Sequence, residues 1–302
     1  MNKFIKKGIL FFILIIIVDS AFGLLFGYIS MNAKSGGNLK NNHIAYEMNE
    51  ELLIMGSSRA AHHYKPDVFS DSLKMSCFNC GRDGNGIILM YGRYKLLKER
   101  YTPKVIIYDI TGTFDLEEND NIKYLGDLKK YFNNREIKKI FKDISLREYI
   151  KMNSKMYINN STVINTISNF LLHENDNSNG YLPMYKKMEI IPKEKSGTDE
   201  VKPEFDKIKL AYLEKLIQEC QGETQLFFIV SPYFFESKDT TIYTPIKQLC
   251  SQYDIPFIEY DNKQFIRNKD LFSDSSHLND KGATKYSQII AQQIKEYLSN
   301  QY

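Results

Sequence analysis

The chain is predicted to be an α/β protein built on a parallel sheet, and three observations carry that expectation. Short apolar runs alternate with segments of helical spacing from about residue 51 to the C-terminus, the rhythm of strands joined by right-handed helical crossovers. Pro103 introduces a β-branched run over residues 104–110, which suits a strand buried on both faces. The first run, Leu53-Ile54-Met55, breaks at Gly56 and delivers Ser57-Ser58-Arg59 where a strand should turn into a helix.

In chain order, residues 51–56 and 73–78 read as the first two strands, and 84–100 as a helix with Ile87, Ile88, Tyr91, Tyr94 and Leu97 on one face. Residues 104–110 form the third strand. After an interruption come an amphipathic helix over 205–220, a buried strand over 225–230, a helix over 244–253, a strand over 255–260 and a closing helix over 281–298. The interruption runs from Phe114 to Val201 and is rich in Lys, Asn and Tyr, with helices predicted over 125–133, 137–141 and 145–153. A structureless loop of that length is out of keeping with a compact domain, so 115–201 is read as a helical insertion after the third strand, lying over the edge where ligands bind.

The N-terminus is a different material. Lys3, Lys6 and Lys7 precede residues 8–29, which carry a single charge, Asp19. That is about the length of a membrane-crossing helix, and the lysines favour a cytoplasmic N-terminus (residues 1–7) with the rest of the chain outside. A cleaved signal peptide is the rival reading, but no small-x-small site follows residues 9–18 and apolar character resumes from Ala21 to Ile29. Residues 30–45 turn to Gly, Asn, Ser and Lys and read as a linker to a domain over 46–302.

Composition excludes more than it assigns. With 40 basic against 37 acidic residues the net charge is +3, which makes no case for nucleic acid as a partner. The basic residues of the insertion, such as Lys129, Lys130 and Lys138, could meet an anionic glycan or membrane surface. Interspersed Asp127, Glu136 and Asp143 favour a solvated helical face instead. Cys77-x-x-Cys80 has no second pair at zinc spacing; Cys220 and Cys250 could bridge outside the cytoplasm or serve as small buried hydrophobes.

Three fragments have chemistry in them. A serine hydroxyl becomes a nucleophile only with a base in hydrogen-bond reach and donors aimed at the oxyanion. Gly56 before Ser57-Ser58 allows the sharp strand-to-helix turn that exposes a serine, although serine at that place is also an ordinary N-cap. The loop from Asn79 to Gly86 is a glycine- and Asx-rich turn that also presents free N–H groups at a helix start. Asp274 lies three residues before His277, ahead of the last helix, where Asn279 or Asp280 would cap. Of the five histidines only His277 has an acid placed this way; His62 and His63 are expected at the surface or beside the site.

Taken in order, Gly-x-Ser after the first strand, Asn-x-Gly-x-x-Gly after the second and Asp-x-x-His before the last helix resemble the SGNH (GDSL-type) hydrolase superfamily. The resemblance implies a flavodoxin-like three-layer sandwich of about five parallel strands. It implies Ser58 as nucleophile, His277 as general base, Asp274 as the orienting acid, and the N–H groups of Ser58 and Gly84 as oxyanion donors. The family's third block carries an Asn where this chain has Asp109-Ile110-Thr111-Gly112-Thr113, with Thr113 near the expected position and Asn79 as another candidate donor. Membrane-anchored members with a Gly-Ser-Ser opening act on envelope polymers. By that likeness the chain would be a single-pass, extracytoplasmic serine esterase or O-acyltransferase working on acyl groups, acetyl foremost, of a cell-envelope glycan. It would need no metal or cofactor. A transferase would require an acyl donor outside the cell, for which a membrane-bound acyltransferase contacted through Asp19 is one source. The alternative is an inactive module of the same fold that binds or positions a polysaccharide.

Overall fold

The computed structural model describes residues 3–159, 163–173, 178–191, 204–235, 241–259 and 264–300. The chain divides into two units: a helical one, Met1–Met48 with Asn121–Asn175, and an α/β one, Asn49–Asp120 with Asp176–Tyr302. The end of the expected insertion, at 192–201, lies outside the described residues.

In the helical unit, α1 (Lys3–Met31) is a single apolar helix of 29 residues. Its mean hydropathy reaches 2.8 over its best stretch, long and apolar enough to cross a membrane. The expected linker is helical instead: α2 (Gly36–Asn42) runs into a π-helical turn at His43–Glu47. The reason is tertiary, because Asn42 Nδ2 donates 2.8 Å to Ser30 O and the N–H of Lys34 donates 2.7 Å to Asn169 O.

In the α/β unit, β1 (Leu52–Gly56) leads into α3 (Ser58–His63), followed by α4 (Pro66–Leu73), β2 (Cys77–Asn79), α5 (Ile87–Lys98) and β3 (Val105–Asp109). The chain then passes through the helical unit as a 3₁₀ segment (Asn121–Tyr131), α6 (Arg135–Ile144), α7 (Leu146–Lys151), α8 (Lys155–Asn159) and α9 (Val163–Leu171). It returns as α10 (Lys207–Cys220), β4 (Gln225–Val230), α11 (Thr244–Tyr253), β5 (Phe257–Glu259) and α12 (Asp280–Ser299). All neighbouring strands are parallel, in the order β2-β1-β3-β4-β5. This is the flavodoxin-like order, and it makes the edge between β1 and β3 the switch point where ligands bind.

Helices cover both faces. Tyr286, Ile290 and Ile294 of α12 pack with Leu52, Ile54, Ile107, Phe227 and Ile229 of the sheet, while α5 and α10 pack together with α11 beside them. β1 and β3 are buried along their whole length, which is why their sequences show no polar alternation.

The strand read over 255–260 begins at Phe257 and the insertion helices have other bounds than read, and two further differences have a local cause. Leu73 ends α4 rather than opening a strand, because Pro66 starts a helix and Lys74 closes it in a left-handed conformation at φ 57°. Helix α5 starts at Ile87 and not Gly84, because the Asp115 carboxylate takes the Ile87 N–H at 2.7 Å and fixes the first turn there. Tyr260, the expected end of β5, lies outside the described residues.

Candidate active site

The parallel register sets the site. Gly56 pairs with Asp109 and Asp109 with Ile229, so β1, β3 and β4 end level with one another. Gly56 turns the chain at φ 135°, and a Cβ there would collide with Asp109 O; only glycine allows the strand to turn this close to its neighbour. Ser57 is then buried with Oγ 2.9 Å from Thr111 Oγ1. Ser58 opens α3, where its N–H has no intrahelical acceptor.

On the other side, Phe272 and Leu278 form an antiparallel bridge, closed by the Ser273 N–H on His277 O at 2.8 Å. Asn279 caps α12 by accepting from the Gly282 N–H at 3.0 Å. The hairpin between holds Asp274 and His277. His277 Nε2 lies 2.8 Å from Ser58 Oγ, and its Nδ1 lies 2.9 Å from Asp274 Oδ2. Nδ1–H donating to the carboxylate leaves Nε2 as the acceptor facing the hydroxyl. Burial raises the Asp274 pKa, but the His277 ring and the N–H groups of Ser276 and His277 outweigh it and hold the carboxyl below its usual range. The chain Ser58–His277–Asp274 can therefore move a proton from a hydroxyl to an imidazole already oriented to receive it.

The loop residues expected to complete the site divide. Gly84 adopts φ 67°, and its N–H takes part in no hydrogen bond among the described residues. Asn79 is fully committed elsewhere: its Nδ2 donates to Ala60 O at 2.7 Å and Tyr64 O at 2.9 Å, and its Oδ1 accepts the Gly81 N–H. It fastens β2 to α3 and has no donor left for an oxyanion. Thr113 is exposed, and its carbonyl accepts from Asn119 Nδ2 and Lys209 Nζ. The third-block threonine bonded to the serine turn is Thr111, on Ser57.

Several residues beneath Ser58 had no signal in the sequence reading. Arg59 is buried, with Nη2 donating to Asp109 Oδ1 and Ile110 O at 3.0 Å each, Nη1 to Ser231 O at 3.1 Å, and Tyr233 stacked 4.0 Å from its guanidinium. Burial opposes its charge, but Tyr233 and Asp109 more than offset that and raise its pKa. Tyr64 OH donates 2.6 Å to the other oxygen of Asp109. A carboxylate at the end of a wholly buried strand needs partners, which makes Asp109 the one clue; nothing local marks Arg59 as its partner.

His62 and His63 are buried rather than at the surface. His63 Nε2 accepts the Leu278 N–H at 3.0 Å and its Nδ1 faces Ser231 Oγ at 2.8 Å, so it is a neutral ring tying the His277 hairpin to β4. Burial, then the charges of Arg59, His277 and His62, push its pKa well below the histidine range. His62 faces acceptors with both nitrogens, Leu182 O at 2.6 Å and Asp83 Oδ1 at 3.1 Å, and sits edge-on to the His277 ring at 5.4 Å. The Asp83 carboxyl is held down first by this His62 hydrogen bond, against burial.

The four cysteines are free and buried, the hydrophobe reading of Cys220 and Cys250. Among the described residues no three of His, Cys, Asp and Glu converge as a metal site would require.

No family model matches the chain, and no curated protein matches it. Among solved structures, an active site mutant of a family two carbohydrate esterase from Clostridium thermocellum is 11% identical, covering 82% of this chain and 64% of that one with a TM-score of 0.42. A second structure of a family two carbohydrate esterase from that organism, in complex with cellohexaose, is 10% identical, covering 82% of this chain and 65% of that one with a TM-score of 0.40. At these values the likeness carries no argument about the reaction.

Proposed function

We propose that the chain is a serine esterase or O-acyltransferase in which Ser58 is the nucleophile, His277 the general base and Asp274 the acid that orients it. The observation that carries this reading is the unbroken hydrogen-bond chain from Ser58 Oγ through both nitrogens of His277 to Asp274 at the carboxyl edge of the sheet. His277 Nε2 takes the Ser58 proton as Oγ attacks the acyl carbonyl. The oxyanion is met by the N–H groups of Ser58 and Gly84, the first at a helix start and the second with no other hydrogen bond among the described residues. Collapse expels the alcohol, which takes the proton back from His277. Water or a sugar hydroxyl then attacks the acyl-serine with His277 again as base. Which acceptor arrives decides between hydrolysis and transfer.

The substrate reading rests on the sequence resemblance: acyl groups, acetyl foremost, on a cell-envelope glycan. The helix α1, with Lys3, Lys6 and Lys7 before it, is read as a single-pass anchor with the α/β unit outside. Asp19, considered above as a contact for an acyltransferase partner, is occupied within the chain by Ser154 Oγ and the N–H groups of Lys155 and Met156.

The test is p-nitrophenyl acetate hydrolysis by the full chain in detergent. Ser58→Ala should fall to background, His277→Ala should lose on the order of 10⁶-fold in kcat, and Asp274→Asn on the order of 10⁴-fold. A fluorophosphonate probe should label Ser58. Turnover untouched by Ser58→Ala would overturn the reading; a label on Ser57 would move the nucleophile by one residue.

A further inference from the structure

The helical unit contains a cavity of about 420 Å³, in the size range of small-molecule sites. One wall is the face of α1 that carries Ser20, Gly23, Gly27 and Ser30; the opposite wall comes from Lys129–Asn133 and from Lys155 and Ile158. These small residues spread over about 15 Å of helix at 1.5 Å per residue. They do not all serve close helix packing. A Cβ on Gly23 would collide with Lys155 Cβ, so Gly23 does admit a neighbour, but a Cβ on Gly27 meets nothing within 4 Å. Gly27 therefore faces empty space.

The end of the cavity near Ser30 is polar and incomplete. Ser30 and Asn42 line it at 4% and 6% exposure, and Ser30 Oγ and Asn42 Oδ1 have no hydrogen-bond partner among the described residues. A buried hydroxyl and amide oxygen left this way cost about 1–3 kcal/mol each unless something pairs with them. Lys129 and Lys130 line the same cavity and join no ion pair among the described residues. Among the described residues Lys130 Nζ donates only to the neutral Asn38 Oδ1, and burial pushes its pKa down to about 8 against the pull of Asp127. An apolar trough therefore ends in a hydroxyl and an amide oxygen without hydrogen-bond partners among the described residues, beside Lys130, whose ammonium meets no carboxylate in an ion pair there.

We propose that this cavity binds an anionic glycerophospholipid, with an acyl chain lying along Gly27 and Gly23 and the phosphate and glycerol hydroxyls meeting Lys130, Ser30 and Asn42. The trough supplies apolar contact to the chain, the lysine offsets the phosphate charge, Ser30 Oγ donates to a phosphate oxygen, and Asn42 Oδ1 accepts from a hydroxyl. Phosphatidylglycerol has each of these groups. The site requires α1 to stay attached and is independent of the reaction assigned to Ser58.

The chain has no tryptophan, so Phe132→Trp, on the cavity wall, places a single reporter there. In detergent, the full chain carrying this change is titrated with phosphatidylglycerol or phosphatidylcholine brominated on the acyl chain, and tryptophan quenching is read. Quenching by phosphatidylglycerol should saturate, with roughly tenfold preference over phosphatidylcholine. Adding Gly27→Leu should abolish the saturable part by filling the trough, whereas Gly27→Ala, whose methyl fits, should retain it. Lys130→Gln should bring phosphatidylglycerol down to the phosphatidylcholine level and, because glutamine keeps a donor for Asn38 and leaves α1 untouched, keeps the test open should Gly27→Leu misfold. Equal, non-saturating quenching by both lipids would overturn the proposal, as would saturable quenching that survives Gly27→Leu. A particle mass showing a second copy or a protein partner in the trough would overturn it too.

Discussion

Replacing Arg59 by Met tests whether the buried charge network beneath Ser58 sets the stability of the α/β unit. The side chain is 2% exposed as a residue and donates to Asp109, Ile110 O and Ser231 O. Methionine keeps much of the volume but leaves the Asp109 carboxylate, itself wholly buried, with Tyr64 OH as its remaining named donor. Stranding one partner of a buried pair costs about 3–5 kcal/mol, and two carbonyls lose their donor as well. Asp109→Asn in the same chain removes the stranded charge, so the double variant should recover roughly half of the Arg59→Met loss, a coupling of at least about 2 kcal/mol once the cost of Asp109→Asn by itself is subtracted as well. All four cysteines are free, buried and in the α/β unit, so thiol labelling across a urea series reports that unit's unfolding alone. With a slope of about 2–3 kcal/mol per molar urea, the Arg59→Met midpoint should fall by roughly 1–2.5 M. A fall under about 0.3 M, or additive losses in the double variant, would refute the argument that Arg59 and Asp109 stabilise each other.

Two further outcomes follow from the same geometry. His63 titrates well below its unfolded value in the folded state, so below pH ~6.5 the unfolded chain holds the extra proton and folding loses up to about 1.4 kcal/mol per pH unit. His63→Gln should show a flatter decline between about pH 6.5 and 5 in the thiol-labelling midpoint; parallel declines in both chains would exclude the neutral-ring account. Gly56→Ala should cost about 1–3 kcal/mol, because φ 135° is unfavourable for alanine and the methyl meets Asp109 O. It should also depress esterase turnover by displacing Ser58; unchanged stability and turnover would contradict the turn geometry.

The legible parts of this protein are those governed by local rules. The run 104–110 anticipated β3 because a strand covered on both faces has no polar side to show, and 225–230 matched β4 residue for residue. Pro103 and Asn279 punctuate elements through their own backbones and caps. The short strand β2 was misplaced because Leu73 and Phe78 are both apolar yet belong to different elements, and only the left-handed Lys74 between them shows the break. Residues 30–45, polar and aperiodic, read as a tether, since nothing local reveals that Asn42 would bond the end of α1.

By itself the sequence determined the α/β class, the apolar N-terminal helix and the pairing of an Asp with a His three residues apart, each a matter of periodicity or spacing within one segment. Tertiary structure decided the rest. It brought His277 to 2.8 Å from Ser58 across 219 positions of chain, and it spent Asn79 on holding β2 to α3. It also buried Arg59 against Asp109, closed Asp19 with the segment around Lys155, and left Gly27 facing a void. Contacts between distant segments depend on register and packing, and a charge such as Arg59 carries no local mark of the partner that will neutralise it.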